Sequence, residues 1–269
     1  MSQIRKQSII SSVLVYIGFL IGFINTYLFT REGGFTQSQY GLTGIFVAVA
    51  NIMYSFANFG MAAYVTKFYP YYRDNLPRKK NDLLSWALLF SLVGFCLVVV
   101  AGILFKDLVV RKYGTNAPDF VRYYYYIFPF GLGLTLFTIL EAYAWQLKKS
   151  ILTNYLREIQ FRVFTTLLIV LTFAGLITSF DLFIKLFSFT YLAIAAMLLA
   201  SLVLGRHVSL TFSVSIVTRK FFRKIMHLIS FVYGGNMVFT ISIVFDTIII
   251  AAVLPDGLAL AGIYTLAQN

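Results

Sequence analysis

Two carboxylates lie inside long apolar stretches of this chain, where they could bind a proton or a metal cation. Asp246 lies near the C-terminus, and Glu141 lies one helical turn before Trp145. An ionised carboxylate in hydrocarbon costs about 3 kcal/mol unless it is paired, hydrated or protonated. We therefore predict that Asp246, and secondly Glu141, couples the protein to a proton or a sodium ion. For Glu141 the alternative is a structural ion pair with Lys148 or Arg162.

Three amide side chains, Asn25, Asn51 and Asn58, lie in the first two apolar stretches. Together with small residues they recur at three- and four-residue steps, which places polar and small groups on one face of a helix. Two interpretations stay open. The amides either pack helices together, or they line a hydrated cavity and bind a polar ligand such as sugar hydroxyls.

Three arginines, Arg31, Arg122 and Arg162, lie at or near the ends of apolar stretches. Each is placed to reach a central cavity and balance an anionic substrate, so we predict a role in substrate binding. The alternative is that each extends to the membrane surface, and that Arg31 pairs in solvent with Glu32.

No catalytic motif is present in the sequence. It has no glycine-rich phosphate loop followed by lysine and no His-Glu-x-x-His motif, and its two histidines, His207 and His227, are far apart in the sequence. Cys96 is the only cysteine, which excludes a disulfide within the chain. We expect a protein that is not an enzyme and has no metal or organic cofactor.

Long apolar stretches must position these side chains. Hydrophobic residues make up 59% of the chain and charged residues only 12%. Because about 20 apolar residues span a bilayer as a helix, we predict an all-α polytopic membrane protein. The predicted spans are residues 9–30, 40–66, 83–105, 121–145, 159–180, 183–205 and 228–253, with an eighth beginning at residue 258.

Charge distribution predicts the orientation of these spans. With the N-terminus in the cytoplasm, sixteen of the 22 Lys and Arg lie on the cytoplasmic side, as the positive-inside rule requires. The net charge of +12 is then explained by topology and by attraction to anionic membrane lipid, so we expect no nucleic-acid partner.

An internal repeat predicts how the spans are grouped. Arg5 is followed by an apolar span and, 36 residues later, by Gly41, while Arg223 is followed by another such span and, 39 residues later, by Gly262. A six-helix unit therefore restarts near Arg219, as in transporters built from parallel repeats. We expect an N-terminal lobe at 1–218 and the start of a second lobe at 219–269, with the chain truncated.

Several short segments resemble the Wzx-type oligosaccharide flippases of the multidrug/oligosaccharidyl-lipid/polysaccharide exporter superfamily. They are Ile4-Arg5-Lys6-Gln7-Ser8-Ile9-Ile10, Gln39-Tyr40-Gly41-Leu42, Glu141-Ala142-Tyr143 through Leu156-Arg157-Glu158, and Ala261-Gly262-Ile263-Tyr264. The resemblance implies a bacterial inner-membrane protein of two lobes and 12 to 14 helices around a central cationic cavity. It would flip lipid-linked oligosaccharide to the outer leaflet by alternating access, for polysaccharide or lipopolysaccharide synthesis.

In that interpretation the arginines would balance the pyrophosphate of the substrate, and the asparagines would bind its sugars. A polysaccharide polymerase or assembly proteins would be further partners. Two other functions stay open. One is a cation-coupled multidrug antiporter of the same superfamily, and the other is a membrane-embedded glycosyltransferase or polymerase.

Overall fold

The computed structural model describes residues 3–31 and 34–268, and every regular element within them is helical. In chain order the α-helices are α1 Gln3–Thr30, α2 Gln37–Ala57, α3 Met61–Asn75, α4 Leu83–Leu104, α5 Lys106–Tyr113, α6 Pro118–Arg122, α7 Ile127–Gln146, α8 Ser150–Asn154, α9 Phe161–Phe173, α10 Phe180–Ser188, α11 Thr190–Leu204, α12 Ile216–Val253 and α13 Gly257–Gln268. Two short 3₁₀ turns, Arg78–Lys80 and Tyr124–Tyr126, and one π-helical segment, Tyr155–Gln160, complete the described structure.

Six helical segments in the described residues are long and apolar enough to cross a membrane. They are Gln7–Thr30, Gln37–Ala57, Arg78–Leu104, Tyr124–Gln146, Phe180–Leu204 and Ile216–Val253. Each overlaps one of the seven predicted spans, which confirms a helical membrane protein in outline. The fifth predicted span, 159–180, does not correspond to any of these six segments. Its residues belong to the end of the π-helical segment, to α9, which carries Arg162 and ends at Phe173, and to the turn before α10.

The second predicted span, 40–66, was wrong about the continuity of its helix. The backbone breaks after Ala57, where Phe59 has a φ of 45° and Gly60 a φ of 72°. Such left-handed conformations favour glycine, because it has no Cβ atom to clash with the carbonyl. The Oδ1 atom of Asn58 then accepts the Ala62 backbone amide at 3.1 Å and so starts α3.

Helices α2 and α7 form the centre of the bundle. In the most apolar part of each span, 61% of the residues of α2 and 72% of those of the segment that contains α7 are buried inside the bundle. Only 11% of those of α1 are buried. The outer faces of α1, α4 and α12 are instead exposed and apolar, as Ile24, Leu104 and Phe231 illustrate. This arrangement is expected where hydrocarbon, not water, surrounds the bundle.

Helices α12 and α13 pack directly on α2. Helices α2 and α13 approach closely at Gly41 and Gly262, because a Cβ atom on Gly41 would lie 1.8 Å from the carbonyl oxygen of Leu258, and one on Gly262 would lie 3.0 Å from the backbone nitrogen of Gly41. Helix α12 begins at Ile216, well before the predicted residue 228. Its first turn is capped by Ser215, whose hydroxyl accepts the Thr218 amide at 3.1 Å.

Candidate substrate cavity

A cavity of about 1660 Å³ lies between two groups of helices. On one side α1 packs on α8 and α9, and on the other side α12 and α13 pack on α2. Helices α2 and α7 supply the wall between them. The polar and charged residues that line it are Asn25, Thr26, Thr43, Asn51, Thr66, Thr138, Glu141, Arg157, Glu158, Arg162, Thr165, Thr247 and Thr265, and its aromatic lining includes Tyr16, Phe19, Phe23, Tyr54, Trp145 and Tyr191.

Glu141 forms an ion pair in this cavity in which the carboxylate is buried. Its side chain on α7 is only 2% exposed, and its Oε2 atom accepts a hydrogen bond from the Arg157 guanidinium. The guanidinium also lies over the Phe137 ring, 5.6 Å from its centroid. The other carboxylate oxygen, Oε1, is buried and has no partner in the described part of the chain. One acceptor site therefore remains for a proton, a cation or a ligand donor.

A second ion pair joins Arg162 to Glu158 along one helix. The Nη1 atom of Arg162 lies 2.7 Å from both the Oε2 atom and the backbone oxygen of Glu158. Because Arg157 and Glu158 belong to the π-helical segment, the local geometry differs from that of an ideal helix at the point where both pairs form. Single π-helical turns inside α-helices frequently mark functional sites.

The glycine pair of α1 allows this charged segment to approach. A Cβ atom on Gly18 would lie 2.7 Å from the Glu158 carbonyl oxygen, and one on Gly22 would lie 3.0 Å from the Nε atom of Arg162. The Gly-x-x-x-Gly spacing therefore does bring two backbones together, as such spacing does in other membrane helices. It places α1 directly against Arg162.

The three predicted amides have different environments. Asn25 lines the cavity but is 6% exposed and connects α1 to α9, since its Nδ2 atom donates to the Arg162 carbonyl at 2.9 Å and its Oδ1 atom accepts from Thr166 at 2.6 Å. Asn51 also lines the cavity and donates to the Val47 carbonyl one turn earlier, at 2.8 Å. Asn58 is 2% exposed, accepts the Ala62 amide in the first turn of α3 and lies outside the cavity lining.

The predicted arginines are not brought together. Arg162 lines the cavity, whereas Arg31 and Arg122 are exposed and lie outside its lining. The Arg122 guanidinium lies over the Tyr123 ring at 5.4 Å, as expected of a cation at a membrane interface. Glu32, which the sequence suggested as a partner of Arg31, lies outside the described residues.

Asp246 also lies outside the cavity lining. Its side chain is exposed on α12, and its Oδ2 atom accepts a hydrogen bond from the Tyr264 hydroxyl at 2.7 Å. This bond connects α12 to α13. The neighbouring residues Val244 and Thr247 do face the cavity.

Arg157 lines the cavity but is not among the site residues predicted from the sequence. The ion-pair partners considered there for Glu141 were Lys148 and Arg162. The signal of Arg157 in the sequence is the run Arg157-Glu158 followed four residues later by Arg162, which carries charge into an otherwise apolar stretch. In the described residues no group of three or more His, Cys, Asp or Glu side chains could hold a metal ion.

Comparisons of this chain with protein-family models, with curated proteins and with solved structures give no match.

Proposed function

We propose that this protein is a transporter that flips lipid-linked oligosaccharide from the inner to the outer leaflet of a bacterial inner membrane by alternating access. It is not an enzyme in this proposal, and its N-terminus is cytoplasmic. The lipid tail stays in the bilayer while the pyrophosphate and sugars enter the cavity, because moving charged phosphate into hydrocarbon without compensation is prohibitive.

The size of the cavity is the observation that carries this proposal. Pockets for drug-sized ligands have volumes of about 300 to 1,000 Å³, and this cavity reaches about 1660 Å³. It therefore suits a bulky substrate such as an oligosaccharide better than a small drug.

The chemistry of the lining supports the same substrate. Tyr16 and Tyr54 offer rings against which sugars stack, and Asn51 offers an amide oxygen for a hydroxyl. Arg157 and Arg162 are both held by carboxylates of the protein. A pyrophosphate could replace these carboxylates as the partner of the guanidinium groups, which bind phosphate in a bidentate manner.

Contacts between α2 and α13 support the two-lobe arrangement. A Cβ atom on Gly41 would approach the carbonyl oxygen of Leu258, and one on Gly262 would approach that of Gln37. The interval from Gly41 to Gly262 equals that from Gln37 to Leu258, so the two contacts correspond to each other under one shift along the sequence. Such reciprocal contacts are expected around a two-fold axis, and parallel transporter repeats have an axis of this kind along the membrane normal.

The Glu141–Arg157 pair is the coupling site in this proposal. Protonation of Glu141, or sodium binding at its unpartnered oxygen, weakens the hold on Arg157 and changes the relative stability of the two cavity orientations. Asp246 remains a second candidate for coupling, because its bond to Tyr264 lies between α12 and α13.

A cation-coupled multidrug antiporter is the second candidate function. The observation that favours it is the buried Glu141 carboxylate among aromatic side chains. Aromatic rings and a carboxylate together bind organic cations.

Cells depleted of the protein distinguish the two functions. A membrane-impermeant sugar-modifying probe reports the leaflet that holds polyprenyl-pyrophosphate-linked oligosaccharide. We expect cytoplasmic accumulation and loss of surface polysaccharide, both restored by the wild-type gene. Unchanged leaflet distribution with new sensitivity to cationic drugs would replace the flippase with the antiporter.

A further inference from the structure

A second, smaller pocket lies at the end of the bundle where α3 and α7 end. Its volume is about 200 Å³, several times the roughly 30 Å³ that one water occupies. Segments distant in sequence form it, namely the end of α3, the turn before α4, the end of α7 and the loop before α12. The lining residues are Tyr69, Arg73, Leu76, Arg78, Asn81, Tyr143, Leu147, His207 and Ser209.

Hydrogen bonds between these segments fix the shape of the pocket. The Tyr143 hydroxyl donates to the His207 carbonyl at 2.9 Å, and the Ser209 hydroxyl donates to the Arg78 carbonyl. The Thr211 amide donates to the Ser85 hydroxyl at 2.9 Å, which holds the same loop on α4. The loop before α12 is therefore held against both α4 and α7.

The lining is positively charged. Arg73 and Arg78 contribute two guanidinium groups, and no lining residue is acidic. Asp74 pairs with Arg73 at 2.8 Å, and the two side chains are 60% and 59% exposed, respectively. An ion pair between such exposed side chains is weak. Asn81 adds an amide group whose Oδ1 atom accepts the Leu83 backbone amide, so the Nδ2 group remains as the donor.

His207 reports the positive potential of this site. Burial lowers the pKa of His207, and the charges of Lys149 and Arg78 lower it further. A bound anion would offset those charges and raise the pKa again.

We propose that this pocket binds a phosphate group through Arg78, Arg73 and His207. Two guanidinium forks, an amide and a histidine are the donors that phosphate recognition uses. The phosphate belongs either to the headgroup of an anionic lipid or to a free phosphate ion. The site is separate from the substrate cavity and does not depend on the proposed transport function.

Binding measurements on the purified full chain test the site and its source of phosphate. One series adds inorganic phosphate to protein in neutral detergent at constant ionic strength. The other compares nanodiscs of phosphatidylglycerol with nanodiscs of phosphatidylcholine. We expect the thermal midpoint to rise with phosphate, with phosphatidylglycerol, or with both. A response to phosphatidylglycerol alone identifies a lipid headgroup, and a response to inorganic phosphate identifies the free ion.

The Arg78→Gln variant should weaken this response about tenfold, because it removes a charged bidentate contact. Lys80→Gln is the matched control, since it removes the same charge from the same turn outside the pocket lining. It should change the response less than about twofold, as expected for an exposed charge. Equal losses in the two variants would show a general charge effect and overturn the site.

The wild-type protein gives an independent test that needs no variant. In spectra of histidine-labelled protein, the pKa of His207 should rise on addition of whichever phosphate source raises the thermal midpoint. The exposed His227 on α12 serves as the internal reference and should not respond. Failure of both sources to raise the midpoint, or an equal response of both histidines, would contradict the proposal.

Discussion

Gly41 of α2 and Gly262 of α13 meet where the two helices cross, at a distance that leaves no room for a side chain. A Cβ atom on Gly41 would lie 1.8 Å from the carbonyl oxygen of Leu258, and the neighbouring Gly44 would place one 2.8 Å from the Thr265 hydroxyl. Real Cβ atoms do not approach backbone so closely, so any larger residue must separate the helices. This crossing holds α12 and α13 on the rest of the bundle.

We expect Gly41→Ala to destabilise the protein by about 1 to 3 kcal/mol, as other overpacked contacts do. The measurement is the thermal midpoint of the purified protein in detergent. Gly234→Ala is the matched control, because a Cβ atom at Gly234 would meet nothing within 4 Å. That change should leave stability unaltered or raise it by up to about 1 kcal/mol, the difference in helix propensity. Equal effects of the two changes would argue against close α2–α13 packing.

Substitution of Arg157 and substitution of Glu141 should destabilise the protein by unequal amounts. Arg157→Gln leaves a buried carboxylate without its cation and should cost about 1 to 3 kcal/mol. Glu141→Gln should cost less, because Arg157 is 37% exposed and water can solvate it. The double variant should be more stable than the sum of the single changes predicts.

Thermal unfolding of the wild-type protein, the two single variants and the double variant measures the coupling between Glu141 and Arg157. Lys185→Gln, which breaks the more exposed pair with Asp181, is the control and should cost no more than about 1 kcal/mol. Additive effects of the Glu141 and Arg157 changes would show that the pair does not form.

Variants of Asn25 and Asn51 distinguish a role in helix packing from a role in substrate binding. Asn25 holds two interhelical bonds, so Asn25→Ala should lower the thermal midpoint and cost about 1 to 3 kcal/mol. Among the residues that the structure describes, Asn51 hydrogen-bonds only to Val47 of its own helix, and it lines the cavity. Asn51→Ala should therefore leave the midpoint nearly unchanged and reduce transport. If Asn51→Ala transports normally, Asn51 is not a substrate ligand.

The lowered pKa of His207 predicts how stability depends on pH. Because burial and the charges of Lys149 and Arg78 lower the pKa in the folded state, the unfolded chain binds more protons near the ordinary pKa of about 6.5. The stabilising contribution is therefore present above that pH and is lost as the pH falls below it. His207→Gln should flatten this part of the stability profile, which the thermal midpoint measured against pH reports. A profile that this change leaves unaltered would contradict the assignment.

Much of the fold could be predicted from the sequence, because a bilayer requires a long apolar run for each helix that crosses it. The overlap of Gln7–Thr30 with the predicted 9–30 is an example. The break after Ala57 was missed, since it depends on the bond from the Ala62 amide to the Asn58 side chain and on the left-handed conformation at Gly60. An apolar composition on both sides of the break hides it.

The candidate site was harder to predict than the fold. Glu141 and Arg157 meet only because the chain turns back between α7 and α8, where Lys148 adopts a φ of 59°. Spacing along one helix cannot predict a contact across such a turn. Asn25 and Asn51 lie on helices as predicted, whereas Asn58 lies at the break after α2. Only the neighbours of each residue show that Asn25 and Asn58 make structural contacts, while Asn51 donates to the Val47 carbonyl of its own helix and lines the cavity.

Transport by the purified protein in proteoliposomes tests the central claim most directly. The substrate is a fluorescent polyprenyl-pyrophosphate-linked oligosaccharide, and an impermeant quencher reports its leaflet. We expect wild-type protein to equilibrate the leaflets much faster than empty vesicles, and Asn51→Trp, which narrows the cavity, to abolish this while Leu104→Ala on the exposed face of α4 does not. Rates equal to those of empty vesicles, from folded wild-type protein, would contradict the assignment as a flippase.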